Sequence, residues 1–210
     1  PAALHVKNIC KAARDNGIFV LLGGTGADDI FSGYRRHQSL YYHQIFNIFP
    51  YKLRWLMKIL VSNTDKGMPH FRRLSKFLDA NVQKNPKEQL FNSYSWSPHQ
   101  IVKQLFHSDY SKYFKSDSHF HLRNTLLEIP KEHEVLNQML YLEIKHFLGD
   151  HNLNYTDKMS MAHGVEVRVP YLDKELVEFT TELPPNLKMR GNETKYILRK
   201  VAERYLPKEV

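Results

Sequence analysis

The sequence predicts an α/β protein holding part of a doubly wound parallel sheet and a large helical remainder. Two observations predict it. Near the N-terminus the order is helix, short apolar strand, glycine-rich turn, helix, which is half of a doubly wound unit. From about residue 35 onward, strand signals mostly vanish and apolar residues recur at helical spacing.

Ala2 to Asn16 is read as a helix because Val6, Ile9, Cys10 and Ala13 share one face, and Gly17 supplies a stop. Ile18-Phe19-Val20-Leu21-Leu22 is too short for a helix and rich in strand formers, so it is expected as a strand buried on both faces. Gly23-Gly24-Thr25-Gly26 turns the chain, and Ala27-Asp28-Asp29 opens a second helix. Leu53 to Leu60, Pro69 to Leu78, Pro98 to Phe106 and Glu134 to Leu148 follow as helices. Breakers separate them at Pro50, Ser62-Asn63, Asn85-Pro86 and Pro130. The alternation Val165-Glu166-Val167-Arg168-Val169 predicts a short extended segment. Leu172, Leu176, Phe179 and Leu183 line one helical face, Asp173 is the N-cap of that helix, and Pro184-Pro185 ends it. A last helix carries Ile197, Leu198, Val201 and Tyr205 and stops at Pro207. One convincing strand has no ladder partners of its own, and the sequence opens on Pro1. The expectation is therefore that residues 1–210 are one part of a domain whose other strands precede Pro1.

The 210 residues are 42% hydrophobic and 12% aromatic, a composition that supports a packed core and excludes disorder. A single cysteine, Cys10, cannot form an internal disulfide, which favours a reducing, cytoplasmic setting. No run reaches the roughly 18 apolar residues of a membrane span. Lys and Arg number 30 against 22 Asp and Glu, a net charge of +8. The cations are dispersed, the densest pairs being Arg35-Arg36, Arg72-Arg73 and Arg199-Lys200, and no nucleic-acid motif accompanies them. A modest positive field is equally suited to small phosphorylated substrates, so nucleic acid is not expected as a partner, and the lack of a span leaves no membrane expected either.

Three stretches carry candidate chemistry. The glycines at 23, 24 and 26 let backbone approach a ligand closely, and amides at the next helix start suit an anion, so this is a place for phosphate. Asp28 and Asp29 at the same corner could hold Mg²⁺, which takes one or two carboxylates plus substrate phosphates. The plainer alternative is a tight turn with helix-capping aspartates. Glu166 and Arg168 fall on one side of the extended segment. Lys195 has Arg199 one turn later, so that two cations could face one anion. His119 and His121 lack a third ligand at metal-site spacing. For Tyr34-Arg35-Arg36-His37 a solvated helix face is the simpler reading.

Taken in order, the glycine loop with its acidic pair, the run D-K-M-S-M-A-H-G-V-E-V-R-V-P-Y-L-D at 157–173, L-P-P-N-L-K and E-T-K-Y-I-L-R-K closely resemble the synthetase domain of the glutamine-dependent asparagine synthetase family. The likeness is good over Ile18 to about His37 and Gly149 to Val210. It implies an adenine nucleotide alpha hydrolase-like fold, Rossmann-like and built around a PP-loop ATPase site. It also implies an ATP-dependent ligase that adenylates a carboxylate such as that of aspartate, releases pyrophosphate, and forms an amide with ammonia derived from glutamine. ATP and Mg²⁺ are the implied cofactors, and a homodimer is among the implied partners. The family's S-G-G-x-D-S ATP loop and its glutaminase domain would both lie before Pro1, leaving the 210-residue piece inactive alone.

By position, the resemblance makes Asp28 a Mg²⁺ ligand and brings Gly23, Gly24 and Gly26 against substrate or pyrophosphate. Lys195 becomes the stabiliser of charge on the transferring phosphoryl group. It makes Glu166 and Arg168 a buried structural pair near the site, with Asp157 orienting neighbours. The chain departs from the family pattern at Thr25, where a carboxylate is usual, at Gly23, where serine is usual, and at Asp29, where glutamate is usual. A neutral hydroxyl at Thr25 cannot act as a general base without a partner. Thr25 therefore keeps open a related activity, intramolecular amide closure as in β-lactam synthetases and lasso-peptide cyclases. A non-catalytic scaffold or basic binding module is the alternative from another class.

Overall fold

The computed structural model describes residues 2–62, 68–82, 86–94, 99–107, 109–110, 120–129, 134–207 and 209. The chain forms two compact units, residues 1–38 with 131–210, and residues 39–130.

Unit 1 opens with α1 (Ala2–Asp15), β1 (Val20–Leu22), α2 (Ala27–Phe31) and the start of α3 (Arg35–Phe46). Unit 2 takes the rest of α3 and then α4 (Tyr51–Ser62), α5 (Pro69–Asn81), α6 (Pro86–Tyr94), α7 (His99–Gln104) and α8 (Phe120–Leu126). Unit 1 resumes at α9 (Val135–Leu142), a π-helix (Glu143–Leu153) and α10 (Asn154–Met161), which follow one another without a break. Strand β2 (Glu166–Arg168), a 3₁₀ turn (Pro170–Leu172), α11 (Lys174–Glu182), α12 (Pro185–Lys188) and α13 (Tyr196–Ala202) complete it.

β1 and β2 pair in parallel, with Val20 opposite Glu166, Leu21 opposite Val167 and Leu22 opposite Arg168. The strand expected to find its neighbours before Pro1 thus has one neighbour inside the chain. The burial expected for it is corrected too: Phe19 is 53% and Leu22 76% exposed, because among the described residues β2 alone joins the ladder. An apolar strand with a bare face and one unpaired edge invites a further strand.

α1 ends as the sequence predicts, with Gly17 at φ 75°. It buries Cys10 and Ala13 and packs on α10, but Ile9 stays exposed. Asp173 caps α11 by accepting from the amides of Glu175 and Leu176 at 3.0 and 3.2 Å. The apolar face of α11 is rotated from the expected one. Leu176, Val177 and Leu183 enter the core, while Phe179 is exposed. That core is built on α2, whose Ile30 and Phe31 pack with Leu183, Ile144, Tyr171, Leu187, Ile197 and Leu198. Burying two such side chains contributes roughly 1.5–3 kcal/mol each, enough to anchor a five-residue helix with little stability of its own.

In unit 2, Phe46, Leu78 and Val82 form a small core with Val61 and Phe77 against it.

Candidate functional site

The parallel pairing of β1 with β2 delivers the two motif stretches to one place. The Gly23 amide donates to the Arg168 carbonyl at 2.7 Å, so the glycine loop leaves the sheet beside the end of β2. The three glycines then differ in what they do. A Cβ at Gly23 would press on Val167 at 3.0 Å. Gly26 sits at φ 99°, and a Cβ there would collide with the Leu172 side chain. Gly24 meets nothing within 4 Å, so nothing in the chain itself demands glycine there. Gly26→Ala is expected to destabilise the fold by about 2 kcal/mol or more through left-handed strain and overpacking. Urea unfolding would measure this, with partial recovery in the double variant with Leu172→Ala.

Past the loop, Asp28 and Asp29 diverge. The Asp28 carboxylate is partly exposed and meets the Lys195 ammonium, Oδ1 to Nζ, at 2.9 Å. Glycine at 33 makes this possible, because a Cβ there would collide with Asp28 Oδ1. Lys195 comes from the far end of the chain and stands at φ 53°, a left-handed conformation that costs a non-glycine residue of order 1 kcal/mol or more. A partly exposed ion pair contributes up to about 1 kcal/mol. The pair therefore offsets the strain at best, and stability alone does not account for a lysine held in this way. Arg199 does not join Lys195 as expected: its Nε donates to the Thr194 carbonyl at 3.0 Å, tying off the turn that precedes α13.

Asp29 leaves the site altogether. It is 1% exposed, behind Asp28, and both of its carboxylate oxygens accept from the Tyr34 hydroxyl at 3.2 Å. The same hydroxyl accepts from Asn152 Nδ2 at 2.8 Å. Burial, helped by the negative charge of Glu143, pushes the Asp29 carboxyl up to about 7, against the pull of the Tyr34 hydrogen bond. It cannot share a cation with Asp28, so the pair read from the sequence reduces to one carboxylate.

The π-helix that holds Asn152 also carries Glu143, which is fully buried. Arg36 grips it with Nε and Nη2, one to each carboxylate oxygen, and His37 Nε2 lies 3.2 Å from its Oε1. The Tyr34 amide donates to His37 Nδ1 at 3.3 Å, which leaves the ring proton on Nε2 to be given to Glu143. Burial holds the His37 ring below its ordinary value. Burial alone would raise the Glu143 carboxyl, but the hydrogen bonds from His37 and Arg36 outweigh it and hold it low. The Arg36 guanidinium lies over the rings of both Tyr34 and Phe147, 4.3 and 4.2 Å from their centroids, in the corner that these two edge-to-face rings make. His37 is thus buried and Tyr34 and Arg36 are half-buried, and of the stretch read as a solvated helix face only Arg35 is exposed.

The signs of these shifts set a pH dependence. An unfolded Asp29 loses its proton near pH 4, whereas the folded one keeps it to about 7. The Asp29 contribution is therefore fully present below about pH 4 and is lost as pH rises to about 7, by a few kcal/mol in order of magnitude. Asp29→Asn is expected to flatten the fall in thermal stability between about pH 5 and 8. Melting curves at the two ends would show it, and equal slopes in both proteins would count against the assignment.

The remaining residues predicted for the site lie apart from this contact. Glu166 and Arg168 do pair, Oε1 to Nε, at 2.8 Å, but their side chains are 56% and 63% exposed. They project from the bare face of β2, so the expected buried pair is a surface one. Asp157 is exposed on α10. Thr25 is half-buried in the loop. His119 lies outside the described residues, among which no group of three metal-binding side chains occurs. For Mg²⁺ the donor set is one partly exposed carboxylate, Asp28, which fits an ion held chiefly by substrate phosphates and water.

Comparison with known proteins agrees with these motifs. The model of the family described as Asparagine synthase matches residues 3–210. Glutamine-hydrolyzing asparagine synthetase 1 of Bacillus subtilis is 28% identical over 210 residues, covering 100% of this chain and 32% of the relative. Glutamine-hydrolyzing asparagine synthetase 3 of the same organism is 41% identical over 73 residues, 35% of this chain and 12% of the relative. Amidase chry2 of Gibberella zeae is 24% identical over 225 residues, 96% of this chain and 32% of the relative. The chain thus spans about a third of the length of the curated relatives that it matches along most or all of its own length. No solved structure matches it.

Proposed function

The chain belongs to the asparagine synthase family, and on that premise we propose that it is the phosphate-handling part of an ATP-dependent ligase that converts a carboxylate, such as that of aspartate, into an amide. The observation that carries the proposal is the Asp28–Lys195 contact beside the open space at Gly24. It holds a strained cation and a partly exposed carboxylate where a polyphosphate could part them. Lys195 would turn to the phosphates and Asp28 would be released to hold Mg²⁺, which when bound supplies neutralisation of phosphate charge.

The proposed chemistry balances in two steps. A carboxylate oxygen attacks the α-phosphorus of ATP, the α–β phosphoanhydride bond breaks, and pyrophosphate leaves. Ammonia derived from glutamine then attacks the acyl carbon and gives up a proton, the acyl–oxygen bond breaks, and AMP departs with one former carboxylate oxygen. Lys195 lowers the first barrier by facing the charge that builds on the departing pyrophosphate. In this reading the ATP loop and the ammonia source belong to residues outside the present sequence, and the setting is cytoplasmic. The 210-residue chain alone is then expected to give no calorimetric signal with ATP.

Thr25 favours a second reading. With a hydroxyl in the loop, Asp28 paired and Asp29 buried, the loop offers no exposed, unpaired carboxylate to take a proton from incoming ammonia. An amine already joined to the substrate would instead close an intramolecular amide. Full-length protein assayed with glutamine and aspartate separates the two readings: asparagine release supports the first, while ATP–pyrophosphate exchange without release supports the second. Absence of exchange with any carboxylate tested would reject both in favour of a scaffold.

A further inference from the structure

Among the described residues, two other than glycine take the left-handed conformation, and both bond to Asp28. Ser32, at φ 66°, ends α2 with its amide on the Asp28 carbonyl, a conformation common at helix ends. Lys195 begins a helix instead. The residue at that place ordinarily has extended backbone, so φ 53° needs something to hold it.

The chain is fixed on both sides of Lys195. Upstream, the amides of Arg190 and Glu193 donate to each other's carbonyls at 2.9 and 3.0 Å around Gly191, and Gln38 Nε2 donates to the Asn192 carbonyl at 3.0 Å. Downstream, Ile197 and Leu198 seat α13 against the core built on α2. The joint between the two is the Thr194–Lys195 peptide. Thr194 is buried, its carbonyl therefore needs a donor, and the donor is the Nε of Arg199 at 3.0 Å. A hydrogen bond from a guanidinium is stronger than one between neutral groups, which suits it to hold a strained joint.

We propose that Arg199 is a positioning residue: by gripping the Thr194 carbonyl it keeps Lys195 left-handed, and so keeps the ammonium on Asp28. What this placement does for catalysis rests on the adenylation reading. Without the donor, Lys195 relaxes toward extended backbone and its side chain leaves Asp28. The bond and the strain are lost together, so stability changes little. The effect falls on rate, since a group misplaced by about 1 Å costs up to about 100-fold.

Three replacements separate the donor from the charge, and all suit a helix. The amide nitrogen of glutamine lies as many bonds from Cα as arginine Nε, so Arg199→Gln keeps a donor for Thr194 without the charge. At the same distance Arg199→Glu offers only an acceptor and Arg199→Met a methyl group. In full-length protein, Arg199→Met and Arg199→Glu are expected to lower kcat for ATP–pyrophosphate exchange by about 10- to 100-fold, with KM for ATP changed less than about twofold. Arg199→Gln is expected to stay within about threefold of wild type, and all three variants to melt within about 3 °C of it. A crystal structure of full-length Arg199→Met should show Lys195 at negative φ with Nζ withdrawn from Asp28. A fall in Arg199→Gln as deep as in Arg199→Met would give the role to the charge and overturn the proposal, as would an unchanged rate in Arg199→Met. Lys195 still at positive φ against Asp28 in that crystal would overturn it as well. Absence of exchange in the wild type rejects adenylation instead, and the crystal structure then decides the positioning by itself.

Discussion

Glu143→Gln is expected to lower the stability of the fold by about 3 kcal/mol, roughly 6–12 °C in melting temperature for a chain of this size. The carboxylate is fully buried and binds Arg36 through both oxygens and His37 through one. An amide keeps the shape but removes the charge that matches Arg36, and it can accept through only one of its two terminal atoms. The guanidinium, packed over the rings of Tyr34 and Phe147 with its side chain only 20% exposed, would be left largely shielded from water without its counter-charge. The wild-type contribution holds above the ordinary carboxylate range and is lost as pH falls through the lowered folded value, so the gap between variant and wild type should close in acid. Thermal unfolding followed by circular dichroism at pH 7 measures it. A loss below about 1 kcal/mol would mean that the network is solvated or dispensable.

Lys195→Ala is expected to act in the opposite sense, with a large effect on chemistry and a small one on stability. The ion pair with Asp28 is partly exposed, so its loss costs up to about 1 kcal/mol. The left-handed conformation at 195 strains alanine as it does lysine. In full-length protein, ATP–pyrophosphate exchange should fall by a factor of about 100 to 1000, the range seen when a single group stabilising transition-state charge is removed. Lys195→Arg restores charge but not a compact ammonium and should recover only part of the rate. Exchange unchanged by Lys195→Ala would leave the strained lysine without a role.

How far the sequence could be read depended on whether a signal was local. Gly17, Asp173 and the order of elements around β1 were legible because a stop, a cap and a short apolar run act within a few residues. The approach of Lys195 to Asp28 was not, since their 166 intervening residues carry no pattern that brings them together; local pattern and family resemblance marked each residue singly. Exposure failed wherever it depended on what packs alongside. β1 has the composition of a buried strand and is half bare, and Phe179 follows the α11 periodicity yet faces out. The largest omission was the network of Tyr34, Arg36, His37, Glu143 and Asn152. Its one visible trace was a carboxylate in the apolar run Leu140-Tyr141-Leu142-Glu143-Ile144, where a lone charge calls for a buried partner. The π-helix that presents it leaves no comparable mark, because its wider turn arises from packing.

The central claim is that this corner serves adenylation of a carboxylate, and the fate of one oxygen atom tests it. Full-length protein would be given ATP, Mg²⁺, an amine source and substrate carboxylate labelled with ¹⁸O, and the products read by phosphorus NMR for the isotope shift. Adenylation predicts AMP carrying one ¹⁸O with unlabelled pyrophosphate. ADP with labelled inorganic phosphate, or AMP without label, would contradict it.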